Sequence, residues 1–233
     1  MNKRLFSLAL VIALLPAVAL ALPPKTVRAS YELYGNDILV GNVQETFTQA
    51  NGKYRIDSTT TATGIAVLFK NDRITRVSTG LVTSEGLKPQ FFEEKRTSRG
   101  KVRGATAHFD WEHNQVNLAH DDKSEQAPLP AGTLDWSSLF YQFLFKKPQR
   151  ELLTVTLTDG KRVETYQYRF AGDANVGTTA GKFQTAHYVR VANQGERRTE
   201  IWLARDKSYL PVRVTHEEGG IVIEQRLVAL TFN

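Results

Sequence analysis

From Val27 to the C-terminus the apolar residues recur at every second position, a spacing that half-buried strands produce and helices do not. In VRASYELY, Val27, Ala29, Tyr31 and Leu33 fall on one face, and Arg28, Ser30 and Glu32 on the other. YGND at 34–37 and ANG at 50–52 supply residues that tolerate the positive φ of tight hairpin turns. ILVGNVQETFTQ, with Val43 and Phe47 on one face, and KYRIDSTTTAT therefore follow as the next strands of a meander. RITRVSTGLVT, PQFFEEKRT, KVRGATAHFDWE and NQVNLAH continue the pattern. Beyond the middle of the chain come LLTVTLTDG, KRVETYQYRFAG, GKFQTAHYVRVAN, RRTEIWLARD, LPVRVTHEEG and GIVIEQRLVALTF. About a dozen short strands at regular spacing exclude alternating βαβ units. The expected fold is mainly β, a curved antiparallel sheet or incomplete β-barrel. GIAVLFKND at 64–72 reads equally as a helical turn or a bent strand.

One segment departs from the period. In DWSSLFYQFLF at 135–145, Trp136, Leu139, Phe140, Phe143 and Leu144 take the spacing of one helical face. Asp135 suits an N-cap, because its carboxylate accepts from the free amides of a first turn, and Pro148 stands just past the end. SEQAPLPAGT before it reads as a connector between two parts of the sheet. The spacing predicts one central amphipathic helix over 135–145, packed on the concave face. Such a helix either completes the core or forms one wall of an apolar cavity, with Trp136, Phe140, Phe143 and Leu144 as the candidate ligand-binding residues.

The N-terminus sets the compartment. Lys3 and Arg4 precede an apolar run from Leu5 to Leu15, and small residues follow at Ala17, Ala19 and Ala21. This is the pattern of a cleaved signal peptide over 1–21, leaving a single β-rich domain at 22–233 and a periplasmic location. Pro16 interrupts the run, so no stable membrane insertion is expected after cleavage. The chain has no cysteine, which removes N-terminal lipid attachment, disulfide staples and thiol chemistry together. About 212 residues remain, enough to bury a sizeable core.

Charge and residue chemistry name no reaction. The chain has 30 basic against 24 acidic residues, and two of the basic ones leave with the leader. That surplus is modest and lacks the basic stripe with interleaved aromatics of a nucleic-acid binder. The densest basic stretch, EEKRTSRGKVRG at 93–104, is mixed in sign and falls at a strand turn. It reads as a solvated hairpin end, or as a contact for anionic headgroups or sugar phosphates. His108 and Asp110 share a face of their strand, whereas the turn at EHN is expected to carry His113 away, so no metal site is assigned. Ser137 and Ser138 read as polar residues near a cap. Glu93 and Glu94 point to opposite faces and cannot flank one bond. No catalytic residue, metal or cofactor follows, although distant carboxylates could still assemble a glycan-acting enzyme.

YELYGNDILVGNVQETF, FDWEHNQV, LPAGTLDWSSLFYQF, GKFQTAHYVRV and IWLARDKSYLPVRVTHEEGGIVIEQRLVAL together resemble the bacterial domain-of-unknown-function family 3108. The resemblance runs from about Tyr31 to Leu230. It implies an exported envelope protein of Gram-negative bacteria, without catalytic residues to carry over. A looser likeness is to the lipoprotein-carrier half-barrels, although those begin with a helix and this chain begins with strands. The expected function is a non-enzymatic periplasmic module for an apolar or amphipathic ligand, such as a lipid or an envelope protein segment. A structural or assembly role through a sheet edge is the alternative.

Overall fold

The turns form where asparagine and glycine mark them. Asn36 and Asp37 take φ of 45° and 64°, and Asn51 and Gly52 take 52° and 71°. The computed structural model describes residues 23–64, 73–192 and 197–233. The expected leader at 1–21 and nearly all of the ambiguous GIAVLFKND piece lie outside the described residues.

The first run of strands is β1 (Thr26–Gly35), β2 (Ile38–Ala50), β3 (Lys53–Ala62), β4 (Arg73–Thr83), β5 (Gly86–Ser98), β6 (Lys101–Asp110), β7 (Gln115–His120) and β8 (Lys123–Pro128). The second is β9 (Leu134–Asp135), β10 (Leu152–Thr158), β11 (Val163–Thr178), β12 (Gly181–Arg190), β13 (Arg198–Ala204), β14 (Leu210–Glu218) and β15 (Ile221–Phe232). All 15 form one sheet, in the order β8-β7-β6-β5-β4-β3-β2-β1-β15-β14-β13-β12-β11-β10-β9. Two meanders thus meet where the first strand pairs with the last, Val27 opposite Phe232. The outer edges, β8 and β9, are not hydrogen-bonded to each other, so the sheet is not closed into a barrel. It curls instead, bringing β9 against β5.

The count exceeds the dozen or so expected because β8 and β9 escape the period. β8, KSEQAP, is an edge strand exposed on nearly every residue, and β9 is two residues pairing in parallel with β10. The helix is the larger correction. Only Ser138–Tyr141 is α-helical (α1), followed by a 3-10 turn at Gln142–Leu144. Residues 134–136 are held by the sheet, with the Trp136 amide donating to the Thr158 carbonyl at 3.3 Å. Past α1, the Gln142 side chain accepts from the Leu87 amide at 2.6 Å and donates to the Glu85 carbonyl at 3.0 Å. Sheet contacts replace the helical turn predicted at the start of the segment, and its last turn tightens into the 3-10 form.

The segment still fills the curl. Leu139, Tyr141 and Phe143 join Phe47, Tyr54, Ile56, Leu157, Tyr168, Tyr188 and Leu203 in the main core. Tyr141 stacks on Phe47 with ring centres 5.2 Å apart. A second cluster joins Val176 and Phe183 to Tyr31, Val212 and Leu227. A third groups Phe92, Ala107, Phe109, Val116 and Leu118 with Trp136. Gly80 lies at a bulge where a Cβ would come within 2.8 Å of both Pro89 Cα and the Tyr54 ring, so no larger residue fits.

Candidate functional site

The register shows where the apolar interior ends. Phe47, Ile56, Ser78, Phe92, Ala107 and Leu118 are successive cross-strand partners from β2 to β7, and every one is 0% exposed. Two residues along each strand, on the same face, the row becomes Glu45, Ser58, Arg76, Glu94, Ala105 and His120. Strand periodicity keeps both rows on the inner side. An apolar floor therefore gives way abruptly to a charged band.

A buried carboxylate fixes the inner segment at that boundary. Asp135 Oδ1 accepts from the amides of Ser137 and Ser138, each at 2.9 Å, and Oδ2 accepts from Ser78 Oγ at 2.6 Å. Tyr54 adds a hydroxyl contact to Ser78 at 3.0 Å. Burial pushes the Asp135 carboxyl up to about 6, against the lowering effect of these donors. Asp135 thus meets the amides expected of a cap, although α1 starts three residues later. Ser138 Oγ accepts from the Asp135 amide at 2.9 Å, which gives that serine a local structural role.

Beyond this anchor lies a cleft of about 460 Å³. Trp136, Ser137 and Phe140 form one wall; Glu45, Arg76, Glu94 and Arg96 come from the first meander; Asp159, Lys161, Arg162, Arg197, Val214, His216 and Gln225 complete it. Glu45 accepts from Tyr141 Oη at 3.1 Å and from Ser58 at 3.3 Å, and burial raises its carboxyl above the usual range. Arg76 donates to Glu94 at 2.7 Å. Burial, reinforced by Arg197 and Arg190, pulls His216 down to about 4, so its ring is neutral at pH 7. Thr199 Oγ1 lies 3.0 Å from His216 Nδ1, but Thr199 is buried and offers no accessible nucleophile.

The four residues expected to wall a cavity separate into two pairs. Trp136 and Phe140 line the cleft half-buried, while Phe143 is buried in the core and Leu144 packs against it. The cleft is charged where an apolar one was anticipated. Glu45 was hidden in plain view: it shares strand parity with Val43 and Phe47, the very residues that mark the inward face. Phe92, Glu94 and Arg96 repeat that pattern on β5, and Val214 and His216 on β14.

His113 returns to Asp110, its Nδ1 at 2.8 Å and its amide donating at 3.0 Å, contrary to the expectation that the turn carries it off. The turn closes over the aspartate by bonding to it. The His108 ring instead meets Phe91 at a tilt of 53°, with ring centres 4.8 Å apart. Among the described residues no group of three or more potential ligands could hold a metal ion.

Over residues 30–220 the sequence matches the family described as protein of unknown function DUF3108. The chain belongs to that family. No curated protein matches it. Among solved structures it is similar to a β-barrel-like protein of domain of unknown function DUF1849 from Brucella abortus. That similarity has a TM-score of 0.58 at 12% identity and covers 91% of this chain and 100% of the other. A predicted lipoprotein from Parabacteroides distasonis aligns with a TM-score of 0.37 at 10% identity, over 90% and 97% of the two chains. The Brucella likeness shows a shared barrel-like fold. No helix among the described residues is long and apolar enough to cross a membrane.

Proposed function

We propose that this DUF3108 protein is an exported, periplasmic envelope protein that binds an amphipathic ligand in the cleft and catalyses no reaction on it. The observation behind this reading is the juxtaposition of half-exposed Trp136 and Phe140 with a charged band in one cleft. Its volume of about 460 Å³ falls within the roughly 300–1,000 Å³ of small-molecule sites. A purely apolar ligand would strip water from Arg76, Glu94 and Lys161 without replacing their contacts, at a cost of several kcal/mol. An amphipathic one covers the two rings and leaves its polar part on the band. The leader pattern supports export.

Titration with dodecyl maltoside, followed by tryptophan fluorescence and calorimetry, tests this. Saturable one-to-one binding, weakened by about tenfold or more in Phe140→Ser, is expected. Absence of saturable binding by the folded wild type, or an unchanged affinity in a folded Phe140→Ser, overturns the reading.

A further inference from the structure

We infer that the small pocket opening beside the cleft binds a phosphate or carboxylate group, and hence that the cleft's ligand is an anionic amphiphile. This deepens the amphiphile reading and rests on it. The pocket holds about 160 Å³ and shares Glu94, Arg96 and Lys161 with the cleft, adding Arg103, Ala105 and Asp121.

Its cations are arranged at a cost to the fold. Arg96 and Arg103 are direct cross-strand partners on β5 and β6, a placement of like charges that destabilises a sheet. Lys161, from the β10–β11 turn, adds a third positive charge to the same lining. Among the described residues none of these three has a carboxylate within the 4.0 Å of an ion pair. The two acids present are engaged elsewhere or stand apart: Glu94 receives Arg76 at 2.7 Å, and Asp121 Oδ2 lies 3.9 Å from the His120 ring and within ion-pair distance of none of the three cations. That Nδ1 is buried without a hydrogen-bond partner, next to Ala105 across the strand pair. Guanidinium forks match the oxygens of phosphate or carboxylate in pairs, and an ammonium adds a point charge. An oxyanion between Arg96, Arg103 and Lys161 relieves the repulsion and completes the pocket. The hairpin stretch at 93–104 is thereby more than a solvated end.

The experiment compares dodecyl phosphate, dodecyl maltoside and inorganic phosphate on the wild-type protein and on Arg103→Gln, which touches the small pocket and does not line the cleft. Dodecyl phosphate is expected to bind at least about tenfold more tightly than the maltoside, with the advantage shrinking as salt rises. Arg103→Gln should remove most of that advantage, leave maltoside binding unchanged and melt no lower than wild type. Asp121→Asn should increase it. Equal affinity for the two dodecyl probes overturns the anion pocket while leaving the amphiphile reading intact. Failure of both dodecyl probes overturns both. Inorganic phosphate binding as tightly as dodecyl phosphate overturns the lipid-like source and assigns the pocket to free phosphate.

Discussion

Replacing Asp135 by asparagine should stabilise this protein at neutral and alkaline pH. Burial, partly offset by the Ser78 and backbone donors, raises the Asp135 carboxyl from 3.8 to about 6. At 1.36 kcal/mol per pKa unit, holding the ionised form in the fold costs about 3 kcal/mol. A carboxyl raised on folding favours the native state fully below its unfolded value, near 3.8, and that contribution is lost as pH climbs through about 6. The carboxamide introduced by D135N keeps an acceptor for the amides of Ser137 and Ser138, and the Ser78 hydroxyl can reverse to accept from its NH2 group. His216 works in the opposite sense. Its imidazole is depressed from 6.5 to about 4, so its stabilising contribution is complete above 6.5 and is lost as pH falls through about 4, again by about 3 kcal/mol. The two nearly offset one another in the wild type between pH 4 and 6.5, which makes the difference between variant and wild type the informative quantity. Urea unfolding at pH 8, 6, 5 and 4 should show D135N ahead by up to ~3 kcal/mol at pH 8, with the gap closing towards pH 4. A variant less stable than wild type at pH 8, or a gap independent of pH, refutes this reasoning.

Other substitutions separate core from site. Phe143→Ala should cost about 3–5 kcal/mol in urea unfolding, because its side chain is buried among Phe47-cluster residues, whereas half-buried Phe140→Ala should cost less than half as much. Tyr141→Phe removes the hydroxyl donor to half-buried Glu45 and should cost about 1–3 kcal/mol at pH 8. Protonation of Glu45 makes that loss smaller at acidic pH, which the same titration checks. Gly80→Val should fail to yield stable folded protein by circular dichroism, since its side chain has no space between Pro89 and Tyr54.

The sheet was legible because one face of nearly every strand is buried, and burial writes itself as a period of two. β8 left no such trace, as both its faces are exposed. The inner segment carried a helical spacing, yet only Ser138–Tyr141 is α-helical and the residues of the expected face divide between cleft and core. With β10 taking residues 134 and 135, one α-helical turn and one 3-10 turn remained. Asp135 was identifiable as an acceptor for nearby amides, but its link to Ser78, 57 residues away in sequence, depends on the curl. The cleft was hidden for a related reason. Glu45, Arg76 and Glu94 look like solvated strand charges until the register sets them in one row beside the aromatic wall.

A crystal structure grown with dodecyl phosphate tests the cleft and its anion pocket most directly. The alkyl chain is expected to lie on Trp136 and Phe140, with the phosphate between Arg96, Arg103 and Lys161. Density for the ligand only on the outer face of the sheet, with the cleft holding nothing but water, would contradict both assignments.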